Sequence, residues 1–426
     1  MTTTKADLEE PTPPQVEGEE VLAGSLREYT AAWWRRARSG ESGMVPVVVG
    51  LVVIVVIFQT QSSEFLTGGN LTNLFSQDAG VYVLLGMAEV FVLLLGEIDL
   101  SAGFVGAVGG FFTVWLSAMH GWPWLPAILV GLGVPAAIGA MTGLIIVRLR
   151  VPSFVVTLAG LLGFQGLLLF LIDSFGGKSS GGTISDPAYV NALVNSSLPM
   201  TAAWIVLAVS VVLFAGILLV RDRSLRRSGL AVPPFGLTVA KIVAVAVAGI
   251  VLVVICGVNR GVGFTVVNGV PWDIPIVLVI VVLWTILLSR TRFGRYVYAI
   301  GGNAEAARRA GINLGRIRVA GFALCSLTAG AAGIIYAARL GSISANVDGG
   351  QLVLYAVATA VIGGTSLFGG RGKMVHALLG GVVIATIDNG MGLINLSAAT
   401  KFMVTALVLL AAVTVDALAR RGQSSS

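Results

Sequence analysis

The sequence predicts an all-α, polytopic membrane protein: a transmembrane helical bundle of 10–12 spans with both termini in the cytoplasm. Hydrophobic residues make up 56% of the chain and charged residues only 11%, whereas roughly 25% of the residues in a soluble domain are charged. Apolar runs recur that are long enough, at 1.5 Å per helical residue, to cross about 30 Å of hydrocarbon. They are continuous rather than alternating, which excludes a transmembrane barrel.

The distribution of basic residues is the third observation behind this prediction. If the first span runs outward, 23 of the 27 Lys and Arg residues fall in cytoplasmic segments. The four assigned to the external side are Lys178, Arg260, Arg339 and Lys401. Cytoplasmic loops of membrane proteins carry this excess, which therefore explains the net charge of +6 without a nucleic-acid partner. The two cysteines lie in apolar spans and indicate neither a disulfide nor a metal site.

The first 43 residues are predicted to stay outside the bundle. Residues 1–20 hold six acids and three prolines and have almost nothing to bury, which predicts disorder. Trp33 and Trp34 among the arginines of 26–38 predict a segment that lies on the inner leaflet, with a regulatory contact as the alternative. The membrane domain would then occupy 44–420, and 421–426 would form a cytoplasmic tail.

Twelve apolar segments are the predicted spans. They lie near residues 44–60, 79–96, 103–119, 124–147, 153–173, 201–220, 238–257, 273–289, 316–338, 351–366, 375–396 and 398–418. The tenth is short and runs into a glycine-rich stretch at 362–372, which leaves a re-entrant or broken helix open. Gly106 and Gly110, and likewise Gly139 and Gly143, are four residues apart within spans and favour close helix packing.

Acidic residues occur within or beside the second span, where an unpaired charge is costly. The motif Glu97-Ile-Asp-Leu-Ser stands between the second and third spans. Asp99 or Ser101 would cap the third span, or these acids would line a translocation pathway. Glu89 lies deeper in the second span, so it is expected to face the bundle interior or to be protonated.

A second polar group, Asp388-Asn389-Gly390, interrupts the eleventh span. Neutral sugars are bound through Asp and Asn hydrogen bonds and aromatic faces, and an unwound helix also offers backbone groups. The group therefore predicts either a pathway site or a kink closed by neighbouring helices. Tryptophans near the span ends would stack on a sugar or anchor spans at the membrane interface.

The loop 290–318 is the most informative polar segment. It carries seven basic residues around the helix-forming Ala304-Glu-Ala-Ala-Arg-Arg-Ala sequence. Asn303 is placed to cap this helix, Glu305 lies in its first turn, and Gly311 ends it. Such a helix is a suitable contact for a partner that moves the spans. Neither Gly176-Gly-Lys-Ser nor Gly369-Gly-Arg-Gly-Lys completes a phosphate loop, so ATP would act on another subunit.

Five blocks of this sequence resemble the permease subunits of ATP-binding-cassette (ABC) importers for pentoses and hexoses, the ribose/xylose/arabinose type. They follow the family's order and cover roughly residues 45–418. The length, the Glu-Ile-Asp form of one block and the arginine-rich insertion at 221–236 favour the xylose-transporting members. The blocks are Glu97-Ile-Asp-Leu-Ser, Val151-Pro-Ser-Phe-Val-Val-Thr-Leu-Ala-Gly, the stretch from Phe293 to Asn313, Val361-Ile-Gly-Gly-Thr-Ser-Leu and Asp388-Asn-Gly-Met.

The resemblance implies a multi-pass protein of the bacterial inner (cytoplasmic) membrane. It implies a second permease copy, a separate ABC ATPase subunit and an extracytoplasmic sugar-binding protein as partners. ATP and Mg would belong to the ATPase, so this chain would hold no cofactor. The other importers' Ile-x-Leu-Pro extension is absent, since Gly321 stands where the Ile would be. The residues implied in ATPase coupling are Gly302, Asn303, Glu305, Ala306, Ala307, Arg308, Arg309 and Gly311.

The predicted function is therefore that of an importer permease for a monosaccharide, with D-xylose favoured, and not that of an enzyme. The pathway candidates are Glu89, Glu97, Asp99, Ser101, Asp388 and Asn389. One alternative is a proton-coupled secondary transporter with Glu89 or Asp99 as the proton carrier. Others are an ABC permease for a non-sugar substrate such as branched-chain amino acids, or a membrane-embedded transferase, for which no paired-carboxylate cluster is present.

Overall fold

The computed structural model describes residues 45–175, 183–185, 188–230, 232–261, 266–344 and 347–421. Over these residues the chain is a helical bundle with two small two-stranded sheets. The predictions for residues 1–43 and for the tail after Arg421 lie outside the described residues.

The first half of the bundle begins with α1 and contains one π-helical segment. Its elements are α1 (Val45–Gln61), α2 (Gly68–Asn73), the π-helical segment Leu74–Ala79, α3 (Gly80–Leu93), α4 (Ala102–His120), α5 (Trp124–Leu149), α6 (Ser153–Phe175), β1 (Thr183–Ser185), α7 (Ala188–Asn195), β2 (Ser197–Leu198) and α8 (Met200–Arg227).

The second half contains the two short helices of the polar loop. Its elements are α9 (Phe235–Cys256), β3 (Val270–Pro271), α10 (Asp273–Arg290), α11 (Arg292–Gly302), α12 (Ala304–Arg309), α13 (Leu314–Leu340), β4 (Ser342–Ser344), α14 (Gly349–Ile362), α15 (Met374–Leu393) and α16 (Ala398–Arg421).

All twelve predicted spans coincide with helices. Nine helices of the described residues are long and apolar enough to cross a membrane. Three predicted spans contain shorter apolar helices: Pro46–Gln61, Gly349–Ile362 and Ala398–Val408. The tenth segment, for which the sequence left a broken helix open, is the 14-residue α14, about 21 Å long. Its first residue, Gly349, packs on the ring of Phe104 in the first turn of α4.

The most buried span is Gly68–Leu93, in which α2, the π-helical segment and α3 follow one another without a break. Side chains on every side of α3 are buried, from Gly80 to Leu93. A membrane span that carries polar residues belongs in the interior of the bundle, because a surface that faces lipid must be apolar; the more hydrophobic spans Met200–Arg227 and Phe235–Cys256 are mostly exposed at the bundle surface. The interior position of Gly68–Leu93 explains why the polar residues of this span face protein and not lipid.

Helix α13 is the other central element, and it packs on α3, α4 and α5. The glycines spaced by four residues lie at these contacts, as the sequence predicts. A Cβ added at Gly106 would lie 2.5 Å from the Ala329 carbonyl oxygen, and one at Gly143 would lie 2.9 Å from the Val319 Cα. Because glycine has no side chain, the helix backbones approach closely enough for extensive van der Waals contact.

The two sheets lie at the end of the bundle where α13 terminates. Strand β1 pairs antiparallel with β4, and Ile184 faces Ile343. Strand β2 pairs antiparallel with β3, and Leu198 faces Val270. The short helices α11 and α12 lie at the opposite end, since they immediately precede the first turn of α13.

Candidate functional site

The polar loop 290–318, which we call the coupling segment, contains two short helices rather than the one that the sequence predicts. Thr291 Oγ1 accepts from the Gly294 amide at 3.3 Å and begins α11, which the sequence pattern did not separate from the loop. Asn303 ends α11 and caps α12, its Oδ1 accepting from the Ala306 amide at 2.9 Å. The predicted cap is thus confirmed, and the cap residue is also the corner between the helices.

The surface of α12 is almost wholly exposed. Glu305 pairs with Arg308 at 3.7 Å and with Arg309 at 3.3 Å, and all three side chains are more than half exposed. Exposed pairs of this kind contribute little to stability, so the charges remain available to a partner. Ala307 is the one buried residue of the helix. Gly311, with φ of +82°, lies just beyond the end of α12 in the left-handed region that glycine adopts without strain.

Helix α11 ends against two other backbone segments. Gly370 donates its amide to the Leu94 carbonyl oxygen at 3.0 Å, and Gly301 packs between these two residues. The Tyr298 hydroxyl donates to the Gly372 carbonyl oxygen at 2.7 Å, and burial raises the pKa of Tyr298. The coupling segment therefore contacts both the turn after α3 and the loop after α14.

The acids of the Glu97–Ser101 motif lie where α3 and α4 meet α13. Asp99 is fully buried, and its Oδ1 accepts from the amide of Ser101 at 2.9 Å and from the hydroxyl of Ser101 at 2.6 Å. The Cys325 thiol lies 3.7 Å from Asp99 Oδ2. Cys325 is 11 residues into α13, about 16 Å from its start. The side chain of Ser101 makes no capping hydrogen bond to α4. Asp99 instead orders the turn before α4 by accepting both hydrogen bonds from Ser101.

Two further acids of this region, Glu97 and Glu89, have different surroundings. Together with Asp99 and Ser101 they form what we call the inner cluster. Glu97 Oε1 pairs with Arg318 at 3.1 Å and ties the turn after α3 to the start of α13. Glu89 is fully buried, as expected for a residue that faces the interior, and neither of its carboxylate oxygens makes a hydrogen bond within the described residues.

Asp388 and Asn389 lie on a continuous helix. The expectation that Asp388-Asn389-Gly390 interrupts the span is wrong, because α15 runs unbroken from Met374 to Leu393. Both side chains find partners on neighbouring helices, so the backbone has no need to unwind. Tyr82 donates to Asp388 Oδ2 at 2.7 Å, and Tyr355 donates to Asp388 Oδ1 at 3.3 Å. Asn70 donates to Asn389 Oδ1 at 2.9 Å.

A buried ion pair completes this group. Arg339 approaches Asp78 Oδ1 at 2.7 Å, and Asn389 donates to Asp78 Oδ2 at 3.4 Å. Arg339, which the sequence assigned to the external side, lies in the last turn of α13, at the end of the bundle that carries the two sheets. Asp78, Tyr82 and Tyr355 were not singled out from the sequence, although an acid inside an apolar span was a usable signal. The outer cluster is defined as Asn70, Asp78, Tyr82, Arg339, Tyr355, Asp388 and Asn389.

The aromatic residues of the outer cluster are tyrosines rather than tryptophans. The rings of Tyr82 and Tyr355 meet edge to face, with their centroids 5.0 Å apart. Trp115 instead packs among Phe111, Phe112 and Phe175. The tryptophans, for which stacking on a sugar and anchoring at the membrane interface were both considered, are not members of this cluster.

The inner and outer clusters lie along the same helical span. Asp78 and Glu89 are 11 residues apart, about 16 Å along the α-helical rise. Between them lies a narrow gap of about 10 Å³ lined by small and apolar residues, among them Val81, Leu85, Gly103 and Gly106. A space of this size holds no more than one water molecule.

Comparison with known proteins gives consistent matches over most of the chain. The family described as "Branched-chain amino acid transport system / permease component" matches residues 70–413. The xylose transport system permease protein XylH of Escherichia coli K12 is 34% identical over 383 residues, 88% of this chain and 92% of the relative. No solved structure matches the chain.

Two further relatives from the same organism match over similar lengths. The ribose import permease protein RbsC is 29% identical over 390 residues, 92% of this chain and 96% of the relative. The D-allose transport system permease protein AlsC is 30% identical over 369 residues, 86% of this chain and 90% of the relative.

Proposed function

This chain belongs to the family of branched-chain amino acid transport system permease components, and we propose that its substrate is a monosaccharide, D-xylose. It is the membrane-spanning permease subunit of an ABC importer of the sugar type and not an enzyme, because ATP is hydrolysed by a separate subunit. The observation that carries the choice of xylose is the 34% identity with a xylose permease, against 29% and 30% for the ribose and allose permeases.

The outer cluster is the part of the chain best suited to contact a sugar. Its two carboxylates, amides and tyrosine hydroxyls offer both donors and acceptors, as sugar hydroxyls require. Asp388 and Asn389 are already hydrogen-bonded to neighbouring side chains. A passing sugar would exchange these bonds for its own, which keeps affinity low. Weak binding suits a permease, because a site that holds its substrate tightly does not release it.

The end of the bundle that carries α12 is proposed to face the cytoplasm. Arg148 lies in the last turn of α5 at this end, and Arg318 and Arg371 lie near the coupling segment. An excess of basic residues marks the cytoplasmic side. This orientation places α12 against the ATPase and the two sheets on the outside, where a sugar-binding protein would deliver its cargo.

The transport cycle then follows from the contacts of α11 and α12. ATP binding would close the ATPase dimer and move the residues of α12, including Glu305 and Arg309. Because Gly301 packs on the Leu94 turn, this motion would reach the Glu97–Ser101 segment and the start of α13. A second copy of the chain would complete the pathway, and the helices would alternate between outward-open and inward-open states.

The decisive experiment is uptake of labelled D-xylose into proteoliposomes. These contain the chain with its ATPase subunit, with the sugar-binding protein outside and ATP inside or omitted. We expect uptake that requires ATP and is competed by unlabelled xylose but not by ribose or leucine. Competition by leucine would favour the branched-chain amino acids of the family description. Uptake that follows a pH gradient without ATP would contradict the ABC mechanism and support a proton-coupled transporter.

A further inference from the structure

The loop between α14 and α15, residues 363–373, has no part in the function described so far. We call it the glycine loop, because it contains five glycines. Its Gly369-Gly-Arg-Gly-Lys sequence looks like a phosphate loop but lacks the required residues. In the structure it lies at the same end of the bundle as α12, held by the Gly370–Leu94 and Tyr298–Gly372 hydrogen bonds.

Backbone contacts join the glycine loop and the coupling segment. Gly369 and Gly370 have φ of +89° and +74°, a region that favours glycine. A Cβ added at Gly369 would lie 3.0 Å from the Gly301 carbonyl oxygen, and one at Gly370 would lie 3.0 Å from the Gly302 amide nitrogen. Main chain therefore packs directly on main chain, so the exposed surfaces of the loop and of α12 keep a fixed position relative to each other.

The glycine loop has a buried base and an exposed tip. Thr365 and Ser366 are almost fully buried, whereas the Phe368 side chain is 68% exposed. Arg371 and Lys373, which follow the tip, are also exposed. An exposed aromatic ring beside basic side chains has the composition of an interface anchor, because Phe and Arg are enriched in protein–protein contacts. Helix α12, which follows the Gly301 and Gly302 backbone that the loop contacts, adds the exposed basic side chains of Arg308 and Arg309.

We propose that the glycine loop is a second docking surface for the ATPase subunit, which it contacts through Phe368, Arg371 and Lys373. The inference rests on the proposed docking of α12, since the backbone contacts make the two surfaces one continuous face. The matching face of the ATPase would offer an apolar recess flanked by acidic side chains. The loop also joins α14, which carries Tyr355, to α15, which carries Asp388, so ATPase movement would reach the outer cluster directly.

Single-cysteine cross-linking tests this proposal. The two native cysteines, Cys256 and Cys325, are buried, so a cysteine introduced by Phe368→Cys is selectively labelled. The variant is assembled in nanodiscs with its ATPase subunit and binding protein and treated with a short thiol-reactive photo-cross-linker, which inserts into any side chain within its reach. Mass spectrometry then identifies the linked peptides. Ala306→Cys on α12 is the reference for the proposed coupling surface, and Phe235→Cys, whose side chain is 60% exposed at the start of α9, is the matched control.

The outcomes separate this inference from the proposed function. Links to the ATPase from positions 368 and 306, but not from 235, support both. The second docking surface is overturned if only position 306 is linked to the ATPase, or if position 368 is linked only to lipid or to a second copy of the chain. Either result leaves the coupling role of α12 intact. Absence of ATPase links from both positions overturns the docking of α12 and with it the inference.

A binding measurement gives an independent test. Phe368→Glu is expected to weaken the affinity of the ATPase subunit for the permease by about tenfold or more, the effect of removing an interface anchor. Phe235→Glu introduces the same change at an equally exposed ring and is expected to leave the affinity unchanged. Equal affinities for the two variants would overturn the proposal.

Discussion

Replacing Gly301 by alanine is expected to uncouple ATP hydrolysis from transport. Gly301 lies in the last turn of α11, between the turn after α3 and the glycine loop. An added methyl group would overlap the Leu94 carbonyl oxygen and the Gly370 amide nitrogen, and it would lie 3.0 Å from the Gly370 Cα. All three atoms belong to the backbone, so no change of rotamer relieves the overlap.

The size of the effect follows from the energy of overpacking. Forcing a methyl group into a packed site costs about 1–3 kcal/mol. If one transport state keeps this contact and the other loosens it, the strain falls on one state alone. An energy of that size shifts the ratio of the two states by about 5–150-fold. We therefore expect the amount of xylose imported per ATP hydrolysed to fall by about fivefold or more.

The assay measures uptake of labelled xylose and release of phosphate in the same proteoliposomes. Gly133→Ala is the matched control, because it makes the same substitution within helix α5 where a Cβ has no atom within 4 Å. We expect this control to keep the wild-type ratio of uptake to hydrolysis. The reasoning from the backbone contact is refuted if Gly301→Ala shows the wild-type ratio of uptake to hydrolysis and also unfolds at the same temperature as Gly133→Ala.

Three further predictions concern the clusters and the coupling surface. Glu305→Arg is expected to abolish uptake while membrane insertion persists, because it reverses the charge at the first turn of α12; wild-type uptake would contradict the coupling role. Arg339→Gln and Asp78→Asn should each lower the thermal midpoint, because breaking a buried ion pair costs about 3–5 kcal/mol. The cost is expected to be smaller for this pair, since the Arg339 side chain is 27% exposed. The double variant should lose less stability than the sum of the two single variants, and strictly additive losses would show that Arg339 and Asp78 do not stabilise each other. Asp388→Ala should reduce xylose uptake at least tenfold without changing basal ATP hydrolysis, and unimpaired uptake would remove the outer cluster from the pathway.

Several features of the fold were predictable because their causes are local. The twelve apolar segments coincide with helices because each satisfies its own backbone hydrogen bonds within one stretch of chain. The Asn303 cap and the end of α12 near Gly311 depend on neighbours three or four residues away. The close packing at Gly106 and Gly143 also followed from spacing along one helix.

Other features were mispredicted where distant partners decide the outcome. Asp388-Asn389-Gly390 was expected to interrupt a helix, but hydrogen bonds from Tyr82 and Asn70 satisfy the polar side chains and leave the helix intact. Of the two residues considered as caps, Asp99 and not Ser101 accepts hydrogen bonds at this turn, a choice between near neighbours that the pattern left open. The role of these residues in the pathway remains a prediction that the transport assays address.

The class of the protein, its helices and its resemblance to sugar permeases follow from the sequence alone, because composition, periodicity and capping act over a few residues. Which polar residues meet depends on how the helices pack. Tyr82 and Asp388 are 306 residues apart in the chain, and Asn70 and Asn389 are 319 apart. The backbone contact between Gly301 and Gly370 likewise joins the end of α11 to the glycine loop, which no local pattern connects. In a membrane interior the high cost of an unpaired polar group brings such residues together, and the packing of whole helices selects the partner.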